Sequence, residues 1–251
     1  MSMRTQVAKC LPAEGVAFSN LSAERLKAMR AAAEEVVAVH RVLEKTGDNV
    51  VSELLRGNGT FYEWDHYPKG DVYDSESHAQ YYYHAHPPEE RFEGEHGHFH
   101  TFLRPKGMPL GVRPAPVPKA EPPVESENDA LSHLIAIAMD AKGFPIRLFT
   151  VNRWVTGETW YVAQDVIRML DCFEIGHARP SWPANRWVTA MLRLFRPQIE
   201  QLIRERDACV ADWQREYAPK DVYEDRKLEV TSYVDINIER QAEQVAKALA
   251  G

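Results

Sequence analysis

Apolar positions recur at helical spacing through Leu26, Met29, Ala33, Val36, Val37, His40 and Leu43, which predicts a helix from about Ser22 to Lys45. Ser22 and Glu24 form its start, and Thr46-Gly47-Asp48 ends it. A short second helix through Val51, Leu54 and Leu55 stops at Gly57-Asn58-Gly59, so residues 21–56 read as helical. His40 lies on the apolar stripe and reads as a core or boundary side chain.

After residue 60 the period changes. Short aromatic runs broken by Gly, Pro and Asp predict strands over Phe61–His66, Gln80–His86, His98–Arg104, Ser132–Met139 and Ile146–Trp154. The last two flank Asp140-Ala141-Lys142-Gly143-Phe144-Pro145, a hairpin turn by composition. Residues 60–155 are therefore a sheet region, interrupted over 105–129 by extended chain carrying Pro105, Pro109, Pro114, Pro116, Pro118, Pro122 and Pro123. Sheet-like sequence on both sides makes this an excursion within one domain. Residues 159–218 are helical: one segment runs from Val162 to Phe173, and a longer one after Pro183 carries Trp187, Met191, Leu194, Ile199, Leu202, Ile203, Val210 and Trp213. Pro197 should kink or divide the longer one. Over 228–250 a strand, Leu228–Ile236, precedes a helix covering Gln241 to Leu249. The expected fold is a single α+β domain over 1–251: a central antiparallel sheet of about five strands with N-terminal and C-terminal helices packed on it.

Composition narrows the function classes. An apolar fraction of 44% with six tryptophans belongs to a folded chain, and a formal charge of −7 gives no support for a nucleic-acid partner. No apolar run reaches the length of a membrane span, and no signal peptide is visible. Cys10, Cys172 and Cys209 are far apart and lack CxxC spacing, as in a reducing compartment, so a cytoplasmic protein is expected.

The histidines change the picture most. Seven of the ten fall between His66 and His100, and five of these sit in two His-x-His patterns, His84-Ala85-His86 and His96-Gly97-His98-Phe99-His100. In a strand, residues i and i+2 share a face, so each pattern delivers paired imidazoles, the commonest transition-metal ligands. If the two strands pair antiparallel with His84 facing His98, then Tyr82 faces His100, His86 faces His96, and all five histidines share a face. The candidate ligands are His84, His86, His98 and His100, then His96 and His133, with Glu90 as a carboxylate. Glu63, Asp65, Glu89, Glu93 and Glu95 lie nearby, and Tyr81, Tyr82 and Tyr83 could act as supporting partners. His66, His78 and His177 read as non-ligands. Three nitrogens and an oxygen with an open position suit Fe(II), Mn(II) or Zn(II), whereas nitrogen-only ligation shifts the expectation to copper or zinc. The cofactor expected is thus a transition metal, Fe, Cu or Zn, and the partner a small molecule or the metal itself. The expected function is metal binding, with a mononuclear metal-dependent oxidoreductase or oxygenase as its catalytic form and a non-catalytic carrier or sensor as the alternative.

Two motifs resemble known families. His84-x-His86 followed by Glu90 and Gly97 resembles the first cupin motif, which implies a metal held inside a β-barrel by two histidines and a glutamate. Here His78 stands where that motif has a glycine, and the second cupin motif is not recognisable. His98-Phe99-His100 is similar to the histidine strand of HUH-type single-strand nucleases, which implies a divalent ion and a tyrosine nucleophile, for which Tyr161 is the candidate. Arg147, Asn152, Arg153, Trp154 and Glu158 could contact an anion but read first as polar groups at a strand end.

Overall fold

The computed structural model describes residues 16–118 and 126–250. Helix α1 spans Ala23–Glu44, and its first turn is capped by the Ser22 side chain, which accepts from the Arg25 N–H. Leu26, Met29, Ala33, Val36 and Leu43 are its buried stripe. Asn49 opens α2, Val50–Leu55, through a reciprocal capping box with Ser52. The same Asn49 sets how closely the sheet approaches, since a Cβ on Gly143 would fall 2.3 Å from the Asn49 side chain.

The strands are β1 (Tyr67–Tyr73), β2 (Ala79–His84), β3 (Glu95–Leu103), β4 (Ser132–Asp140), β5 (Pro145–Val151) and β6 (Val230–Asp235). They form one antiparallel sheet in chain order, so each strand pairs with its sequence neighbour. The sheet therefore has six strands where about five were expected, because the late strand joins the same sheet beside β5. At the other edge the first strand is shifted. Residues Phe61–His66, expected as a strand, form a loop in which Trp64 takes a left-handed φ of 71°. The strand begins only at Tyr67, where Pro68 costs no ladder bond on an edge. Gly70 and Asp71, both at positive φ, interrupt its register between Tyr67 and Val72.

The β4–β5 turn is as expected: the Asp140 carboxylate accepts from the backbone N–H groups of Lys142 and Phe144, and Gly143 supplies a φ of +81°. The proline-rich excursion leaves β3 and returns as the adjacent β4, tied back by an Arg104–Asp129 ion pair of 2.6 Å.

Helices α3 (Arg153–Thr156), α4 (Ala163–Met169), α5 (Trp182–Leu194), α6 (Arg196–Tyr217) and α7 (Ile238–Ala250) complete the chain. The long helical pattern is divided at Phe195, and Pro197 sits in the first turn of α6, where its missing N–H has no partner to lose. One face of the sheet, with Tyr81, Tyr83, Phe99, Ile135, Ile137 and Leu148, joins α1, α2, α5 and α6 in the main core around the fully buried Trp187. The other face carries the histidines. Among the described residues, no helix is long and apolar enough to cross a membrane.

Candidate metal centre

The β2–β3 ladder pairs His84 with His98 and Tyr82 with His100. With Cβ atoms of paired residues about 5 Å apart, opposing imidazoles meet tip to tip: His84 Nε2 lies 2.7 Å from His98 Nε2. His86 follows directly after β2, and one ring nitrogen from each of His84, His86 and His98 lies within 4.8 Å of the other two. All three side chains are buried. A buried histidine triad that could hold a metal is therefore present.

Two bulges shape what surrounds it. In the β3–β4 ladder Glu95 pairs with Asp140 and Gly97 with Met139, so β3 carries one extra residue, His96. The insertion inverts the alternation at that end. His96 was expected on the histidine face but turns to the other side, where its ring lies tilted against Phe61 and hydrogen-bonds the Tyr83 hydroxyl at 2.7 Å. Glu95 takes the place beside the triad, its Oε1 2.5 Å from His98 Nδ1. Gly97 allows the close approach, since a Cβ there would fall 2.5 Å from the His84 carbonyl oxygen.

The second bulge places Leu134 as an extra residue on β4, between the Thr101–Ile135 and Phe102–His133 pairs. It turns His133 onto the histidine face, where its Nε2 lies 3.0 Å from His100 Nδ1. His100 is one step along β3 from His98, with ring centroids 4.8 Å apart, and stands outside the triad. Glu90 is half-exposed on a short turn, its carboxylate 4.0 Å from His86 Nδ1.

Burial is the dominant electrostatic fact. It holds His84 far below the ordinary imidazole range, with His98, His86 and His66 adding to the effect. Burial, then His98, brings His86 down to about 4. His100 is lowered strongly for the same reasons, and burial followed by Arg206 brings His133 down to about 3. These rings are thus neutral near pH 7 and present lone pairs. For Glu95, burial raises the carboxyl pKa, but the His98 hydrogen bond and charge and the Phe92 N–H outweigh it, so the net shift is downward. An ionised Glu95 can accept a hydrogen bond from a proton on His98 Nδ1, which would leave Nε2, the nitrogen that faces His84, with its lone pair for a metal, as when outer carboxylates orient metal-bound histidines.

Aromatic rings enclose the site. Trp64 stacks on His86 at 4.3 Å, Phe149 meets His98 edge-on at 5.1 Å, and Tyr82 lies between His84 and His66. Arg91 fastens the β2–β3 connection by donating to the His86 carbonyl and to Glu63. Glu158, behind His133, accepts its backbone N–H at 2.7 Å and is fully buried.

Sequence reasoning placed Glu95 only among the carboxylates of the connection and chose Glu90 instead, because the bulge that brings Glu95 onto the histidine face is not legible in the alternation, and it missed Trp64, placed in a strand that does not form. The signal for Glu95 was Gly97, since a glycine inside a strand often marks a bulge. Other residues have separate roles. Tyr161 is buried and donates to the Ala130 carbonyl at 2.7 Å. Arg153 is buried between Asp221 and Glu224, and Asn152 caps α3. His40 accepts from the Trp187 indole N–H. Cys172 and Cys209 are free thiols, and Cys10 lies outside the described residues.

A family model described as a domain of unknown function, DUF6969, matches residues 30–236. The chain belongs to this family. The matched span covers all six strands and every residue of the triad, so the histidine face lies within the DUF6969 domain. No curated protein and no solved structure matches the chain.

Proposed function

We propose that this protein is a metalloprotein whose mononuclear centre is bound by His84, His86 and His98, with Glu95 orienting His98. One observation carries the reading: three buried imidazoles from two paired strands converge within 4.8 Å, and one is braced by a buried carboxylate. Two nitrogens on one tetrahedral zinc at about 2.0–2.1 Å stand roughly 3.3 Å apart. The 2.7 Å between His84 and His98 is thus within a small side-chain rotation of that spacing.

The donor set favours particular metals. Among the described residues no carboxylate oxygen groups with the three ring nitrogens, and nitrogen-only ligation favours zinc or copper over the two-histidine, one-carboxylate set of non-haem iron. Three protein ligands leave a position for water or substrate, the pattern of catalytic rather than structural sites. The function that fits best is metal-dependent catalysis on a small molecule. The metal supplies a Lewis acid or a redox centre, and the chain supplies imidazole ligands, a fixed His98 and an aromatic surround. A carrier or sensor would use the same ligands with the fourth position closed.

The test is titration of metal-free, untagged protein with Zn(II), Cu(II) and Fe(II), followed by spectroscopy of the Co(II)-substituted form. One equivalent bound in four- or five-coordinate geometry with exchangeable water supports a catalytic centre. A site closed by four protein ligands supports the carrier, and no tight binding of any metal removes both readings.

A further inference from the structure

A cavity of about 580 Å³, within the size range of small-molecule sites, is lined in part by His66. Its lining includes Asn58, Tyr62, Asp65, His66, Lys69 and Asp71. His66 links the cavity to the centre: its ring stacks on Tyr82 at 3.6 Å and meets the His84 ring edge-on at 5.7 Å. Unlike the buried triad it is exposed, and its orientation is fixed. Asp71 holds His66 Nδ1 at 3.0 Å and is itself held by the Gln80 amide at 2.6 Å, which accepts from Arg104 in turn. That brace leaves His66 Nε2 as the nitrogen available to a molecule in the cavity. Non-glycine residues rarely adopt positive φ, yet Trp64 and Asp71, on either side of His66, both do. Such conformations cluster where a side chain must be aimed.

The lining also selects a chemistry. Two carboxylates against one lysine disfavour an anion. The Asp71 carboxylate is already engaged by His66 and Gln80, so it is not available to hold a cation. What remains is a set of donors and acceptors around an exposed phenol ring, matched by hydroxyl groups that both donate and accept. We propose that this cavity is the substrate subsite of the centre and takes a neutral, hydroxyl-rich molecule of the sugar or polyol class, anchored by His66 and Tyr62. Its role as a substrate site rests on the metal reading above; its binding chemistry does not.

The experiment is ligand-observed NMR on the full chain, metal-free and zinc-loaded. The probes are D-glucose, D-ribose, myo-inositol and glycerol, with choline as the cation arm and citrate as the anion arm. Binding of at least one hydroxylated probe is expected, with His66→Ala and Tyr62→Ala each weakening it about tenfold, the worth of one good contact. Tyr62 is 60% exposed, so its truncation leaves the fold intact. Binding of choline or citrate alone, of no probe, or with both variants at full affinity overturns the subsite. Zinc binding without probe binding sinks the subsite alone. Probe binding without metal binding keeps the cavity but removes its role as a substrate site.

Discussion

Replacing Glu158 with glutamine isolates one buried charge. Glu158 has no solvent exposure, its Oε2 accepts the His133 N–H, and its Oε1 has no hydrogen-bond partner among the described residues. The charged groups acting on it are Arg206 and, more weakly, Arg153, which favour ionisation, and Asp207, which opposes it. Burial dominates and pushes its carboxyl from 4.5 up to about 7. Between those values the unfolded chain is ionised at this position while the folded chain holds a proton, so stability falls as pH rises through the window. At about 1.4 kcal/mol per pH unit, the gap amounts to about 3 kcal/mol, present in full above pH 7. Glutamine has the same shape, keeps the acceptor for His133 and cannot ionise. Urea unfolding of metal-free wild type and Glu158→Gln, at about pH 4.5 and about pH 8, reads the difference directly, since other titrating groups act in both proteins. The variant should gain about 3 kcal/mol relative to wild type between the two conditions. Parallel pH profiles would refute the reasoning and mean that Glu158 is ionised throughout, paired more strongly with Arg206 than its burial allows.

Other consequences are as direct. Glu95→Gln keeps an acceptor for His98 Nδ1 but removes the charge, and should weaken zinc affinity about 10–100-fold in chelator competition; unchanged affinity would separate Glu95 from the centre. Gly97→Ala forces a Cβ against the His84 carbonyl oxygen and should cost about 1–3 kcal/mol by denaturant unfolding, weakening the metal site as the strands part. His86 and His133 are lowered to about 4 and about 3, so their contribution to stability is complete above the ordinary 6.5 and is lost as pH falls toward those values. Metal-free Glu158→Gln should therefore lose stability steadily below pH 6.5, and adding His133→Asn should make that slope shallower.

Much of the architecture follows from hydrophobic period alone. The α1 stripe, the Asp140–Pro145 hairpin and the break at Pro197 are local signals with local causes: a cap, a turn carboxylate and a missing N–H. The pairing of His84 with His98 could likewise be read from shared parity. What parity cannot see is a bulge. One inserted residue at His96 exchanges it for Glu95, and one at Leu134 brings His133 across the sheet; both depend on the partner strand, which appears in no local window. The placement of β1 failed for a related reason, because an aromatic run around Trp64 has strand composition but a left-handed turn at its centre. That loop stacks on His86, so the error fell beside the site, where local rules most often give way to tertiary contacts.

The central claim is that His84, His86 and His98 hold one metal ion. Its most direct test is metal content by elemental analysis of untagged protein after zinc or copper loading and gel filtration, comparing wild type with His84→Ala, His86→Ala, His98→Ala and His40→Ala. The account expects one equivalent in wild type and in His40→Ala, a histidine remote from the centre, and a loss of about tenfold or more in affinity in each triad variant while the fold persists by circular dichroism. Wild type without stoichiometric metal, or folded triad variants that bind as tightly as wild type, would contradict it.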